Sequence, residues 1–378
     1  MMNIKTNPYK AVSFVRSAIE KALETSGYLI ADTKHDGVRG NICVDNTANS
    51  AWLSRVSKTI PTLEHLNGFD QRWQKLLKDD RWIFPDGFML DGELMVKGVD
   101  FNTGSGLLRT KWLKKYNMEY HNVPVTPDML KPRKVGVAKR VRTEFRLSTE
   151  HLRVVLYDII PLDIIESGDD YNVMTLLRLE HVKVALPVLQ DHFPEVEWCL
   201  SESHEVYDMD ELDALYRQKR EEGHEGLVVK DPRGIYKRGK KSGWWKLKPE
   251  NEADGVVVGL NWGTPGLANE GKVIGFEVLL ESGRVVSANN ISQALMEEFT
   301  AKVKAHTMCA NGCQMSKDVG MDNHSCAGKC AYDQHPSNNP YEGWACQIKY
   351  MEETPDGSLR HPSFDKWRGT EEDPTVKM

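Results

Sequence analysis

Apolar positions switch between helical and strand-like spacing through the first 250 residues of the chain. The first helix is predicted to follow Asn7 and Pro8, a pair typical of a helix start, and to end at Gly27. Helical periodicity returns at 173–190 and 209–222. Apolar runs between these helices predict strands at 28–31, 40–44, 51–56, 88–96, 152–160 and 226–230.

The pattern changes near residue 250, and the helical segments become rare. One helix is predicted at 291–305. The other apolar runs are short and predict strands at 255–260, 272–281, 284–288 and 343–351. This order is typical of a small β-barrel with an inserted helix. The chain is therefore predicted to be an α+β protein of two domains, 1–250 and 251–378.

The composition, with 40% hydrophobic and 28% charged residues, is that of an ordinary globular protein. It excludes a disordered, collagen-like or coiled-coil chain. No apolar run approaches the roughly 18 residues that a membrane span needs, and the N-terminus lacks the layout of a signal peptide. Seven cysteines, an odd number, favour free thiols in a reducing compartment. We therefore expect a cytoplasmic protein that does not contact a membrane.

The net charge of −6 conceals two strongly basic segments. Residues 131–146 contain seven Lys and Arg residues and one acidic residue, and residues 230–248 contain eight and one. Clustered positive charge of this kind can form a face that binds phosphates. A solvated charged surface explains the charge alone equally well.

The clearest motif follows the strand predicted at 28–31. Lys34, Asp36, Gly37 and Arg39 form the pattern K-x-D-G-x-R, whose chance occurrence in a chain of this length is about 1%. Taken alone, the pattern is also consistent with a charged hairpin turn in which Gly37 supplies a positive φ.

Further motifs follow in a fixed order. They are Ser54-Arg55, Asp91-Gly92-Glu93, Tyr157-Asp158, EGLVVK at 225–230, Lys246-Leu247-Lys248, and Arg360-His361-Pro362 with Arg368. This order resembles the covalent nucleotidyltransferase superfamily of DNA ligases, RNA ligases and mRNA capping enzymes. Segments between the motifs, such as YKRGKKSGWWK and MEETPDGSLRHPSF, are similar to the compact ATP-dependent DNA ligases of bacteriophages. The resemblance implies an adenylation domain of antiparallel sheets and helices followed by an OB-fold barrel.

The resemblance also implies roles for individual residues. Lys34 is the expected nucleophile, supported in catalysis by Arg39, Lys246 and Lys248. Glu93 and Glu225 are the expected ligands of Mg²⁺ or Mn²⁺, ions that carboxylates suit. The residues expected to contact the nucleotide or its phosphates are Thr33, Lys34, Arg39, Arg55, Glu93, Tyr157, Lys230, Lys246, Lys248 and Arg360.

The chemistry of lysine agrees with this assignment. A lysine side chain has an ordinary pKa near 10.4, so its ammonium must be destabilised by burial or by nearby cations before it attacks phosphorus. Attack of Lys34 on the α-phosphate of ATP would give lysyl-AMP. Transfer of AMP to a DNA 5′-phosphate and displacement by a 3′-hydroxyl would then seal a nick.

The identity of the nucleotide and substrate is less constrained. Only 33 residues precede Lys34, too few for the domain with which NAD-dependent ligases capture nicotinamide mononucleotide, so ATP is the expected donor. A GTP-using capping enzyme, an RNA ligase and a catalytically silent nick-binding module remain alternatives. The resemblance favours a monomer that acts on nicked double-stranded DNA in the cytoplasm of an infected bacterium.

A cysteine cluster separates this chain from the phage pattern. In the segment 306–335, four cysteines follow the spacing C-x₃-C-x₁₂-C-x₃-C: Cys309, Cys313, Cys326 and Cys330. This spacing is typical of structural zinc sites. Two local disulfides or an unliganded loop are the alternatives. The sequence thus predicts ATP and Mg²⁺, with zinc as a further candidate ligand.

Overall fold

The computed structural model describes residues 4–136, 139–306, 339–354, 356–370 and 372–377. It divides into two compact units, Met1–Lys248 (unit 1) and Pro249–Met378 (unit 2). The four cysteines of the predicted zinc site lie outside the described residues.

Unit 1 contains fifteen strands and six α-helices among its described residues. The strands are β1 Lys10–Ser13, β2 Leu29–Lys34, β3 Val38–Asp45, β4 Asn49–Ser54, β5 Gly68–Phe69, β6 Gly87–Val96, β7 Arg133–Val135, β8 Lys139–Val141, β9 Leu152–Pro161, β10 Tyr171–Met174, β11 Glu197–Leu200, β12 Ser203–Val206, β13 Gly226–Lys230, β14 Ile235–Tyr236 and β15 Lys240–Leu247. The helices are α1 Arg16–Ser26, α2 Gln71–Leu77, α3 Phe101–Arg109, α4 Leu162–Ser167, α5 Thr175–His192 and α6 Met209–Glu221. Short 3₁₀ helices occur at Pro61–Leu66, Lys115–Tyr120, Pro127–Leu130 and Thr149–His151.

These strands form two main sheets. A five-stranded sheet has the order β1-β15-β13-β2-β12, and a six-stranded sheet has the order β11-β9-β6-β3-β4-β5. The edge pairs β1–β15 and β11–β9 are parallel, and the other neighbours are antiparallel. The predicted antiparallel sheets are thus confirmed, with a parallel strand added at one edge of each.

The five-stranded sheet packs differently on its two faces because successive strand residues point to opposite sides. Leu29 and Ala31 of β2, with Leu227 and Val229 of β13, face α1 and α6 in one buried cluster. The opposite face carries Trp244, which packs in another cluster.

The six-stranded sheet has the same arrangement. Its alternate residues, such as Ile42, Leu90 and Val154, belong to the largest core, which includes residues of α2, α3 and α5. Residues of the other face, Cys43 and Met89, share a cluster with Trp244 of the five-stranded sheet. The two sheets therefore face each other across this cluster.

Unit 2 contains one antiparallel sheet and one α-helix among its described residues. Its elements are β16 Asn251–Trp262, β17 Val273–Leu280, β18 Val285–Ala288, α7 Gln293–His306, β19 Ala345–Tyr350 and β20 Ser363–Trp367. The sheet order is β18-β17-β16-β19-β20. A parallel bridge between Asn289 and Ser363 brings the two edge strands together, so the sheet curls toward closure. This agrees with the predicted OB fold, and the α+β class is confirmed.

One predicted helix starts in the wrong place. Gly27 ends α1 in the left-handed region, at φ 81°, as predicted. The residues after Asn7, however, form strand β1 along the edge of the five-stranded sheet. The Tyr9 ring stacks on Trp244 at 4.4 Å between centroids. Contact with the sheet therefore outweighs the local preference for a helix start, and α1 begins only at Arg16.

No helix in the described part of the chain is long and apolar enough to span a membrane.

Candidate active site

Lys34 is the last residue of β2, and strand pairing surrounds it with basic side chains. Asp32 pairs with Val228 of β13, and Val228 pairs with Lys246 of β15. Paired residues of neighbouring strands share one face of a sheet. Lys34, Lys230 and Lys246 therefore project from the same face, away from α1 and α6.

The turn after Lys34 passes close to the six-stranded sheet. A Cβ atom on Gly37 would lie 2.6 Å from the Leu94 carbonyl oxygen and 2.7 Å from Cγ of Glu93. Gly37 does not have a positive φ. The turn interpretation of this glycine is therefore wrong, and close approach between backbones explains why the motif requires glycine here.

The Lys34 ammonium forms an ion pair with Glu225, the residue before β13. The two side chains are 22% and 10% exposed, so the pair is shielded but reachable. Gly226 pairs directly with Lys34, which fixes Glu225 beside the strand end. The predicted nucleophile and one predicted metal ligand thus lie together.

Glu93 and Tyr157 come from neighbouring strands, β6 and β9. The register of these strands shifts between Asp91 and Gly92, and Tyr157 is the extra residue on β9. A bulge of this kind redirects a side chain. The Tyr157 hydroxyl donates to Oε2 of Glu93 at 3.2 Å, and its ring lies 5.3 Å from the Arg39 guanidinium.

Arg39 is held by Asp91, a buried carboxylate to which the motif analysis assigned no role. Asp91 is fully buried and accepts two hydrogen bonds from the Arg39 guanidinium, at 2.7 and 2.6 Å. It also accepts from Asn41 at 2.9 Å and from the Tyr236 hydroxyl at 2.7 Å. Arg39 donates a further bond to the Tyr9 carbonyl at 3.0 Å. This network fixes the direction of the Arg39 side chain.

Lys230 is 2% exposed and has a second overlooked partner. Its ammonium lies 2.5 Å from Oδ2 of Asp32 and 4.3 Å from the centre of the Trp244 ring. Trp244 and Trp245 are buried, as expected for core residues beside the last lysine pair of the motif series. Alternate positions of β2 thus supply Asp32 to the pair with Lys230 and Lys34 to the pair with Glu225, along one sheet face.

The electrostatics of the site depend on burial and crowding. Burial lowers the pKa of Lys246, and the cations Lys248 and Lys34 lower it further. Burial raises the pKa of Glu93 to about 7, although Lys34 and Arg39 oppose this shift. The site therefore combines several cations with a carboxylate that is partly protonated near neutral pH.

Comparisons with known proteins decide the family. Residues 8–248 match the model of the ATP dependent DNA ligase domain, and residues 249–368 match that of the DNA ligase C-terminal domain. The DNA ligases of Escherichia phage T7 and Enterobacteria phage T3 are 66% and 63% identical to this chain, over the full length of both partners. The chain belongs to the ATP-dependent DNA ligase family. The ligase function expected from the motif order is confirmed.

A solved structure shares the fold of this ligase. The ATP-dependent DNA ligase from bacteriophage T7, in complex with ATP, is 64% identical, with a TM-score of 0.60 over 96% of this chain and 99% of that one. The family found in these comparisons is neither the RNA ligases nor the capping enzymes, which were the alternatives left open by the motifs.

Three further predicted residues of the ligase have the following surroundings. Thr33 is 1% exposed, its hydroxyl has no hydrogen-bond partner among the described residues, and by strand alternation its side chain lies on the face of β2 opposite that of Lys34. Arg55 is exposed in the turn that follows β4. Arg360 lies in unit 2, where its guanidinium pairs with Glu352.

The donor set of the ligase suits a magnesium ion better than a closed metal cage. Within the described ranges, no group of three or more His, Cys, Asp or Glu side chains could hold a metal. Glu225 forms an ion pair with Lys34, and Cγ of Glu93 lies beside Gly37 in the turn that follows Lys34. Mg²⁺ is usually bound by one or two carboxylates together with substrate phosphates, so these two residues fit it.

The raised pKa of Glu93 predicts a stability that depends on pH. The folded protein binds this proton more tightly than the unfolded chain, so the free energy of unfolding should fall as pH rises from about 4.5 to about 7. At 1.36 kcal/mol per pKa unit, the loss approaches about 3 kcal/mol above pH 7. Glu93→Gln should therefore be more stable than the parent at pH 8 and nearly equal to it below pH 4.5.

Urea unfolding of both proteins, freed of AMP with pyrophosphate and kept in EDTA, measures this difference. Glu24→Gln, an exposed carboxylate on α1, is the matched control. A stability difference that is independent of pH would contradict the assignment of a raised pKa to Glu93.

Proposed function

We propose that this ligase seals 5′-phosphate/3′-hydroxyl nicks in duplex DNA through lysyl-AMP on Lys34. The observation that carries the proposal is the position of Lys34 at a strand end, paired with Glu225 and close to Lys246 and Glu93. A primary amine beside further cations and two carboxylates suits attack on the phosphate of a nucleotide.

In the first step, Nζ of Lys34 attacks the α-phosphorus of ATP. A P–N bond forms, the bond between the α-phosphorus and its bridging oxygen breaks, and pyrophosphate leaves. The amine must lose a proton, and Glu225 accepts a hydrogen bond from this nitrogen, so it lies where it can receive the proton. Arg39, Lys246 and Lys248 are the cations that would stabilise charge on the phosphate oxygens.

In the second and third steps, the 5′-phosphate of the nick displaces Lys34 from AMP, and the 3′-hydroxyl then displaces AMP. Thr33, Tyr157 and Lys230 are proposed to bind the nucleoside. Tyr157 offers a ring that can stack on a base. Arg55 and Arg360 are proposed to contact phosphates.

Glu93 and Glu225 would hold Mg²⁺ or Mn²⁺. A divalent ion held there would neutralise negative charge on the phosphates. Glu93 suits this role because a cation would favour its charged form, which burial opposes in the free protein.

The test compares ATP, GTP and NAD side by side on a 5′-phosphorylated nicked DNA duplex. We expect a mass increase of one AMP on the protein, and sealing, with ATP alone. A nicked RNA duplex in a parallel reaction tests the RNA-ligase alternative. Binding of nicked DNA without any AMP adduct would support the silent nick-binding module and contradict the proposal.

DNA contact is proposed for the basic segment 131–146. In the described part of this segment, Arg140 and Arg142 are exposed on and after β8. Neutralising Lys139, Arg140 and Arg142 together should weaken binding of nicked DNA and reduce the slope of log K against log salt by about 2.7, because each phosphate contact contributes about 0.9. ATP-dependent self-adenylylation should persist. An unchanged salt slope would mean that the segment is only a solvated loop.

Other parts of the expectation also remain proposals. We infer that unit 1 is the adenylation domain and unit 2 the OB-fold domain, and that the ligase acts as a monomer on phage DNA in the host cytoplasm, in replication or repair.

The zinc site predicted from the sequence consists of Cys309, Cys313, Cys326 and Cys330. If it forms, the protein should contain about one zinc ion per chain. Metal analysis of protein purified without added zinc tests it, and zinc that persists after Cys309→Ser/Cys313→Ser would contradict it.

A further inference from the structure

Unit 1 contains a second candidate site, a cavity of about 290 Å³ lined by residues of three segments. These segments are 112–115, 129–132 and 142–143. The Lys34 cluster shares no residue with this lining. The cavity is therefore built from residues that the proposed adenylylation chemistry does not use.

All the charged side chains that line the cavity are positive. The cations are Lys114, Lys115, Lys131 and Arg142, and the lining contains no acidic residue. None of these four cations forms an ion pair with another residue in the described ranges. Uncompensated cations around one cavity favour an anionic ligand.

The wall of the cavity is apolar, which narrows the class of anion. Trp112, Met129, Leu130 and Pro132 contribute to the lining. Inorganic phosphate has no apolar surface to place against such a wall. A nucleotide combines a flat base with a charged phosphate, and proteins that bind single-stranded DNA pair aromatic side chains with cations in this way.

The cavity is held open by specific hydrogen bonds. The side chain of Asn117, a fully buried residue, donates to the Trp112 carbonyl at 3.1 Å and accepts from the Lys114 amide at 2.8 Å. The Leu113 amide donates to the Thr143 carbonyl at 2.9 Å, which ties two of the three lining segments together. The arrangement of aromatic and basic residues therefore exists before any ligand arrives.

We propose that this cavity binds one unpaired nucleotide of a DNA strand, with the base against Trp112 and the flanking phosphates against the four cations. The proposal rests on the DNA-sealing function proposed above and names a DNA subsite outside the Lys34 cluster. Frayed nucleotides at the ends of a nick have the required chemistry, because their bases are unstacked and their phosphates remain charged.

The test measures binding of the full-length ligase to two labelled oligonucleotides of about eight nucleotides. One is oligothymidylate, and the other has the same backbone with abasic sites throughout. Trp112→Leu should weaken binding of oligothymidylate by about tenfold, the loss of one stacked base, and change binding of the abasic strand by less than about twofold. Thr143→Phe, which fills the cavity and keeps every cation, should show the same selectivity.

Charge variants complete the test. Lys114→Gln/Arg142→Gln should weaken binding of both strands and lower the salt slope by about 1.4, whereas the exposed pair Lys21→Gln/Lys78→Gln elsewhere in unit 1 should leave the slope unchanged. Thermal unfolding checks that each variant is folded. AMP should not displace oligothymidylate, because a free mononucleotide supplies only one phosphate.

If Trp112→Leu and Thr143→Phe weaken binding of both strands equally, the inference is overturned. Displacement of oligothymidylate by AMP would also overturn it, because it would indicate a site for free nucleotides. Nick sealing by the parent protein separates the two proposals. If the parent seals nicks and the oligonucleotide results fail, only this subsite is lost. If the parent seals no nick with ATP, the proposed function itself fails.

Discussion

Lys34→Ala is expected to lose ATP-dependent self-adenylylation completely, by about 10⁴-fold or more, because the reaction forms a bond to Nζ of this residue. The other lysines of the cluster cannot replace it. Lys230 is buried against Asp32, and Lys246 lies on β15, which β13 separates from β2. Electrospray mass spectrometry after incubation with ATP, which reports the addition of one AMP per chain, measures the loss.

The variant should still seal a nick that already carries AMP on its 5′-phosphate. That step breaks a bond between AMP and DNA and does not use Lys34 as a nucleophile. Lys21→Ala, an exposed lysine on α1, is the matched control and should behave like the parent. An AMP adduct on the Lys34→Ala protein would place the nucleophile elsewhere, and failure on the adenylylated nick would assign Lys34 an additional role in sealing.

Asp91→Asn is expected to produce the second large effect, a loss of about 100-fold in the rate of self-adenylylation. The carboxylate receives two bonds from Arg39 and further bonds from Asn41 and Tyr236. Removal of its charge leaves a guanidinium without its anionic partner in a buried site, which also costs about 3–5 kcal/mol of stability. Single-turnover adenylylation at saturating ATP, normalised to folded protein, separates the two effects.

Two further variants test whether Asp91 supports the rate of self-adenylylation by positioning Arg39. Tyr236→Phe removes one of the bonds to Asp91 and should lower the rate by about tenfold. Asp158→Asn breaks the neighbouring buried pair with Arg178, at 3.0 Å, on the strand position paired with Asp91. This control should lose comparable stability and keep most of its rate per folded molecule. Equal losses of rate in Asp91→Asn and Asp158→Asn would reduce the role of Asp91 to folding.

The order of motifs was readable from the sequence because each motif is local. Lys34, Glu93, Tyr157, Glu225 and the 246–248 lysines lie at strand ends or in strands whose apolar runs are visible in the chain. The helices α5, α6 and α7 were predictable for the same reason, since their periodicity depends only on near neighbours. Membership in the ligase family followed from these local patterns and their order.

The tertiary structure decided which residues support the site. Asp91 and Asp32 are short acidic residues within apolar strands, and only strand register brings them to Arg39 and Lys230. Tyr236 is 145 positions from Asp91, and such a distant contact leaves no signal in a single sequence.

Backbone packing also lay beyond the sequence. Residues 10–13 form a strand because the edge of β15 was available to pair with them, which no local pattern encodes. Gly37 is required because β6 passes within 3 Å of its absent side chain, and a turn preference does not explain it. The sequence by itself determined the family and the proposed catalytic residues, since these depend on local order. The three-dimensional packing alone decided how those residues are held, because buried partners are selected by sheet register and by the approach of the two sheets.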